Sequence, residues 1–109
     1  MGNGHLGEFE ELVLLSVCGL PEGAYALTIQ QRLEDKAGRR TTLGGIYRAL
    51  IRLEKKGYVR SWMGAVTHLR GGKRKRFYEA TGAGTAAVVV ARAAREQLWE
   101  DLTLKPALQ

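Results

Sequence analysis

Phe9, Leu12, Val13 and Val17 recur at the three- and four-residue spacing of an amphipathic helix, which predicts a first helix over about Leu6–Cys18. "GLPEGA" breaks it through Pro21 and Gly23. A second helix is expected over about Tyr25–Lys36, with Leu27 or Ile29 and then Leu33 facing inward. "AGRRTT" reads as a turn ending in two N-cap candidates, Thr41 and Thr42. Leu43, Ile46, Tyr47, Leu50 and Leu53 then form the apolar side of a third helix, expected to pack on the first two, and Gly57 stops it.

After Gly57 the period changes from helical to alternating. "YVRSWM" and "RFYEAT" both read as strands, joined by the long polar connection "GAVTHLRGGKRK". Thr81 caps a last helix reaching about Leu102, and Pro106 closes the ordered part. The order helix, helix, helix, strand, strand, helix predicts a mainly α (α+β) fold. It is a winged helix-turn-helix, three helices plus a β-hairpin wing, followed by one extra helix. The expected organisation is a winged domain over residues 1–80, a C-terminal dimerisation helix over 81–104 and a tail over 105–109.

Length and composition fit one soluble globular domain: 109 residues, 45% hydrophobic and 26% charged. The most apolar run, Thr85–Ala94, is interrupted by Arg92, so no membrane span is expected. Glutamates stand near the N-terminus where a signal peptide carries positive charge, and the one cysteine, Cys18, has no internal partner. Both point to a reduced cytoplasm.

The net charge of +6 is strongly segregated. Lys36 to Arg76 holds thirteen Lys or Arg and a single acid, Glu54, whereas the rest of the chain has four basic residues and ten acids. Solubility does not require such segregation; a polyanionic partner explains it.

On the third helix, Arg48, Arg52, Lys55 and Lys56 fall opposite the apolar stripe, together with Gly44 and Gly45. A basic helix face is often only solvated. This one follows a short turn and precedes a basic hairpin, the context of a recognition helix in a DNA major groove. The glycine pair costs about 0.8–1.0 kcal/mol per residue against alanine, and bare backbone there would let free N–H groups approach a phosphate. The alternative is that the glycines relieve crowding against a neighbouring helix. Arg48 and Arg52 are the candidates for base edges, Lys55 and Lys56 for phosphates, and Thr41, Thr42 and Tyr47 complete the expected contact set. On the wing, Arg70, Lys73, Arg74, Lys75 and Arg76 surround Gly71-Gly72 and suit backbone phosphates. A solubilising loop or membrane-surface attraction fits them less well, since no apolar anchor adjoins the cluster.

Other motifs lead nowhere further. Gly82-x-Gly84-x-x-Ala87 with Asp101 imitates a dinucleotide fingerprint, but that motif needs a second parallel strand and none follows. His5 and His68 are isolated, Ser16 and Ser61 lack an evident base, and Cys18 is expected in the core. Glu54 reads as a paired structural carboxylate. No enzyme activity, metal or cofactor is expected.

These residues resemble the PadR family of transcriptional regulators. "LVLLSVCGL" resembles its opening helix and "AYAL" its Gly-Tyr-x-Leu element, with Ala24 in place of the glycine. Gly44, Tyr47, Leu50, Leu53, Glu54 and Gly57 match its Gly-x-x-Tyr…Leu-x-x-Leu-Glu-x-x-Gly segment, and Tyr78, Thr81 and Gly84 its Tyr-x-x-Thr-x-x-Gly. Arg48 stands where many members carry proline, which adds a cation to the DNA face.

The resemblance implies a winged-helix homodimer that represses nearby genes on a two-fold symmetric double-stranded DNA operator until an effector releases it. It also implies that the single C-terminal helix makes the dimer. Independently, Ala87, Ala91, Ala94, Leu98 and Leu102 repeat at helical spacing and suit a partner's surface as well as the first helix of the same chain. Family members that sandwich flat hydrophobic ligands make Trp99 a candidate contact for a small hydrophobic effector; interface packing is the plainer role. Trp62 is expected at the core or its rim. The competing function classes are a non-specific architectural or RNA-binding protein and a winged-helix protein–protein adaptor.

Overall fold

In the first turn of α1 (Glu8–Cys18), Glu8, Glu10 and Glu11 favour the positive end of the helix dipole. The Glu10 carboxylate also reaches back to accept the Gly7 N–H at 3.0 Å. α2 (Ala26–Ala37) follows, and α3 (Leu43–Lys55) starts from Thr42, whose hydroxyl accepts the Gly45 N–H at 3.0 Å. The computed structural model describes residues 5–64 and 74–102. The expected hairpin tip and the tail over 105–109 lie outside the described residues.

β1 (Val59–Met63) and β2 (Arg76–Ala80) pair antiparallel with Val59 opposite Ala80, Ser61 opposite Tyr78 and Met63 opposite Arg76. The Tyr78 N–H donates to the Ala24 carbonyl at 2.8 Å, which docks the hairpin on the α1–α2 connection. α4 (Gly82–Glu100) begins at Thr81, the predicted cap, whose hydroxyl accepts the Gly84 N–H at 3.0 Å. No helix among the described residues is long and apolar enough to cross a membrane.

The core gathers Val13, Leu14 and Val17 of α1, Ile29 and Leu33 of α2, and Ile46, Ala49, Leu50 and Leu53 of α3. Val59, Tyr78 and Val88 close it from the hairpin and α4. Two expectations about the core, on α3 and on Cys18, need correction. Leu43 and Tyr47 are exposed, because the buried stripe of α3 is centred on Ile46, Ala49 and Leu53 and turns both away. Of the two α2 alternatives Ile29 is buried and Leu27 exposed. Cys18, the last residue of α1, is exposed although Val17 beside it is buried.

The junction of α3, β1 and α4 is tightly tied. Gly57 takes φ 79°, a left-handed conformation that ends α3 and that glycine adopts without steric cost. Thr81 Oγ1 donates to the Gly57 carbonyl at 2.6 Å, and the Thr81 N–H donates to the Tyr58 carbonyl at 3.0 Å. Gly84 is buried against that same carbonyl, and a Cβ there would collide with the Tyr58 oxygen. Gly84 of "TGAG" therefore serves a close helix-to-backbone approach rather than a phosphate turn.

Candidate nucleic-acid interface

Because Ile46, Ala49, Leu50 and Leu53 fix one side of α3 in the core, the opposite side is determined. At about 100° per residue, Gly44, Arg48, Ile51 and Lys55 fall within roughly 60° of arc facing away from that stripe. All four are exposed. Arg48 and Lys55 make no ion pair or hydrogen bond among the described residues, so their charges are available to a partner.

The helix N-terminus is open. A Cβ at Gly44 would meet only Arg48 Nη1, at 3.4 Å, and one at Gly45 would meet first Thr42 Oγ1, at 3.2 Å. No neighbouring helix among the described residues presses on either glycine, which removes crowding as their reason. Thr42 remains exposed while capping; the Thr41 carbonyl accepts Gln30 Nε2 at 2.8 Å, and the Thr41 hydroxyl is buried without a partner.

Arg52 and Lys56 stand differently. Arg52 Nε donates to Glu10 Oε2 at 2.7 Å and Lys56 Nζ to Glu10 Oε1 at 2.6 Å; Lys56 also donates to the His5 carbonyl. The Glu10 side chain is only 8% exposed. Burial by itself pushes its carboxyl up, but the hydrogen bonds from Lys56, the Gly7 N–H and Arg52 outweigh that and hold it at about 2. Sequence reasoning missed Glu10. Nothing in linear spacing marks a carboxylate in the first helix as the counter-ion of two cations in the third.

At the base of the wing, Arg74 Nε donates to the Gly64 carbonyl at 3.0 Å, and Lys75 Nζ lies 4.9 Å from the centre of the Tyr25 ring. Arg76 Nη1 donates to Ser61 Oγ at 3.0 Å, and Ser61 donates in turn to the exposed carboxylate of Glu54 at 3.0 Å. Trp62 sits at the rim, stacked on Phe77 with ring centres 6.1 Å apart. Arg70 and Lys73 lie outside the described residues.

On the far side of the domain, α4 lies against α1, and Arg95 pairs with Glu11 at 2.8 Å. Between them runs an apolar groove of about 690 Å³ lined by Leu6, Ala87, Val90, Ala91 and Ala94, with Glu11 and Arg95 at its polar edge. Beyond it Leu98, Trp99 and Leu102 are exposed.

This arrangement has known counterparts. A model of the PadR-like family of transcriptional regulators matches residues 14–89. The chain belongs to that family. A PadR-like transcription factor from Bacteroides fragilis is 25% identical, with a TM-score of 0.70 over 84% of each chain. A PadR family regulator from Eggerthella lenta is also 25% identical, with a TM-score of 0.67 over 85% of this chain and 80% of that one. One from Clostridium difficile, 18% identical, shares the fold with a TM-score of 0.70 over 86% of this chain and 93% of that one. No match emerges among curated proteins. The PadR-like match runs from Leu14 within α1 into the second turn of α4, so it takes in most of the winged domain. Ala91, Ala94, Leu98, Trp99 and Leu102 lie past its end.

Proposed function

We propose that this PadR-like regulator is a sequence-specific, homodimeric DNA-binding repressor acting in the cytoplasm. The observation that carries the reading is α3, whose core stripe directs Gly44, Arg48 and Lys55 outward and whose N-terminus is open. In the major groove Arg48 is the first candidate for a guanine edge, since arginine bridges O6 and N7. Lys55, the Gly44–Gly45 backbone and the wing residues Arg70, Lys73, Arg74, Lys75 and Arg76 would hold phosphates on either side. Thr41, Thr42 and Tyr47 border this surface. Arg52 and Lys56 border this surface as well, but held by Glu10 they would contribute less to it than Arg48 and Lys55.

Pairing through α4 would place two recognition helices about 34–36 Å apart, one turn of DNA. Ala87, Ala91 and Ala94 in the groove, with Leu98 and Leu102 beyond, are the surface proposed for the partner copy. Trp99, one turn past Arg95, is the proposed contact of a small hydrophobic effector that would release the repressor.

The test is a fluorescence-anisotropy titration of the full chain with a duplex from the region upstream of its gene and with a shuffled duplex, each at two salt concentrations. Preference for the native duplex, saturating at one dimer per site, is the expected result. Equal and steeply salt-dependent binding to both would replace this reading with a non-specific binder.

A further inference from the structure

The outward side of α3 is not purely cationic. Leu43, Tyr47 and Ile51 follow one another at four-residue spacing and are 41%, 45% and 53% exposed. Apolar residues scattered singly over a surface need no explanation. Three in line on one helix, bordering Arg48 and Lys55, form a continuous apolar edge along a cationic surface. Ile51 falls almost opposite the buried stripe, so its branched side chain adds nothing to the core.

Phosphates give such an edge no favourable contact, and nor do the hydrogen-bonding edges of guanine, cytosine or adenine. One group in the major groove is apolar, the C5-methyl of thymine. We propose that Ile51, with Tyr47 beside it, reads thymine methyl groups and so sets part of the operator's sequence. The inference rests on α3 being the major-groove helix. Positions three apart on a helix have Cβ atoms about 5–6 Å apart, and base pairs stack about 3.4 Å apart. The methyl read by Ile51 therefore lies within about two base pairs of the base contacted by Arg48.

The experiment selects duplexes from a random pool with the full chain, then replaces each thymine in turn by deoxyuridine, which deletes only the methyl group. The expected result is one position per half-site where the replacement weakens binding about four-fold, the value of one buried methyl-sized group. Ile51→Ala should bind the thymine and deoxyuridine duplexes equally. Because Ile51 is exposed, this variant should keep its helical circular dichroism.

An enriched duplex that is indifferent to deoxyuridine at every position overturns the proposal alone, as does an Ile51→Ala variant that keeps the methyl dependence. Dissociation of the dimer by Ile51→Ala would assign the edge to a protein partner instead. A pool from which no sequence is enriched would overturn the major-groove reading of α3 as well.

Discussion

Arg52 Nε lies 2.7 Å from Glu10 Oε2, which ties the third helix to the first turn of the first. The same carboxylate takes Lys56 at 2.6 Å. Glu11, its neighbour in sequence, reaches the other way to Arg95 of α4 at 2.8 Å. Two consecutive carboxylates in one helical turn thus tie down the element proposed for DNA and the element proposed for pairing. Exposed ion pairs contribute little. The Glu10 cluster is another case, because its carboxylate is largely removed from water and its partners satisfy it from three sides.

Stability should therefore depend on pH in a defined window. Glu10 sits at about 2 in the folded chain, against an ordinary value of 4.5. A carboxyl lowered by folding contributes stability that is fully present above 4.5 and is lost as pH falls from there toward 2. The loss should be on the order of 2–3 kcal/mol. Urea unfolding of the wild type and of Glu10→Gln across this range should give converging stabilities at low pH. Parallel curves would show that the cluster does not stabilise the fold.

DNA binding should separate the cations of α3. Arg48→Gln should cost about 1–3 kcal/mol on a preferred duplex and less on a shuffled one. Lys55→Gln should reduce the slope of log K against log salt by about 0.9, one phosphate contact. Lys56→Gln should change that slope little, because Glu10 already engages its charge. Anisotropy titrations over a salt series read all three, and identical effects would abolish the division.

The six elements are legible in the sequence because each rests on local signals. Thr42, one of the two candidates, caps α3 and Thr81 caps α4 as expected, Gly57 ends α3, and the change of period at Tyr58 marks the hairpin. What is not legible depends on contacts between distant residues. A helical period allows two neighbouring stripes on α3, and only packing selects fully buried Ala49 over Tyr47. Likewise the basic face is visible in the sequence, but the withdrawal of Arg52 and Lys56 toward Glu10 spans more than forty positions. Gly84 reads as a turn residue until the Tyr58 carbonyl is found against it.

Two glycine substitutions should act in opposite directions. Gly44→Ala meets only the flexible end of Arg48, so it should raise helix stability by up to about 0.8–1.0 kcal/mol. It should also weaken DNA binding, by standing between the helix N-terminus and a phosphate. Gly84→Ala drives a methyl into a backbone carbonyl and should destabilise by about 1–3 kcal/mol or more. Thermal melts followed by circular dichroism should move up for the first and down for the second. A Gly44→Ala variant with unchanged DNA affinity would leave the glycine pair without a functional reason.

The groove beside α4 bears on the proposed dimer. In the single chain Val90 and Leu98 are 67% and 70% exposed, and both follow a helix whose earlier turn is anchored by Val88 in the core. A charge placed in an apolar interface is costly unless it is paired, whereas on a free surface it is tolerated. Leu98→Glu should therefore leave the fold intact and convert the dimer to monomer in sedimentation equilibrium. Because a dimer binds the second half-site at high effective concentration, affinity for a two-fold duplex should fall by about 10²–10⁴. Arg92→Ala alters a residue paired, among the described residues, only with Glu96 on an exposed face, at 2.9 Å, and should change neither. If Leu98→Glu stays dimeric, the partner surface lies elsewhere on the domain.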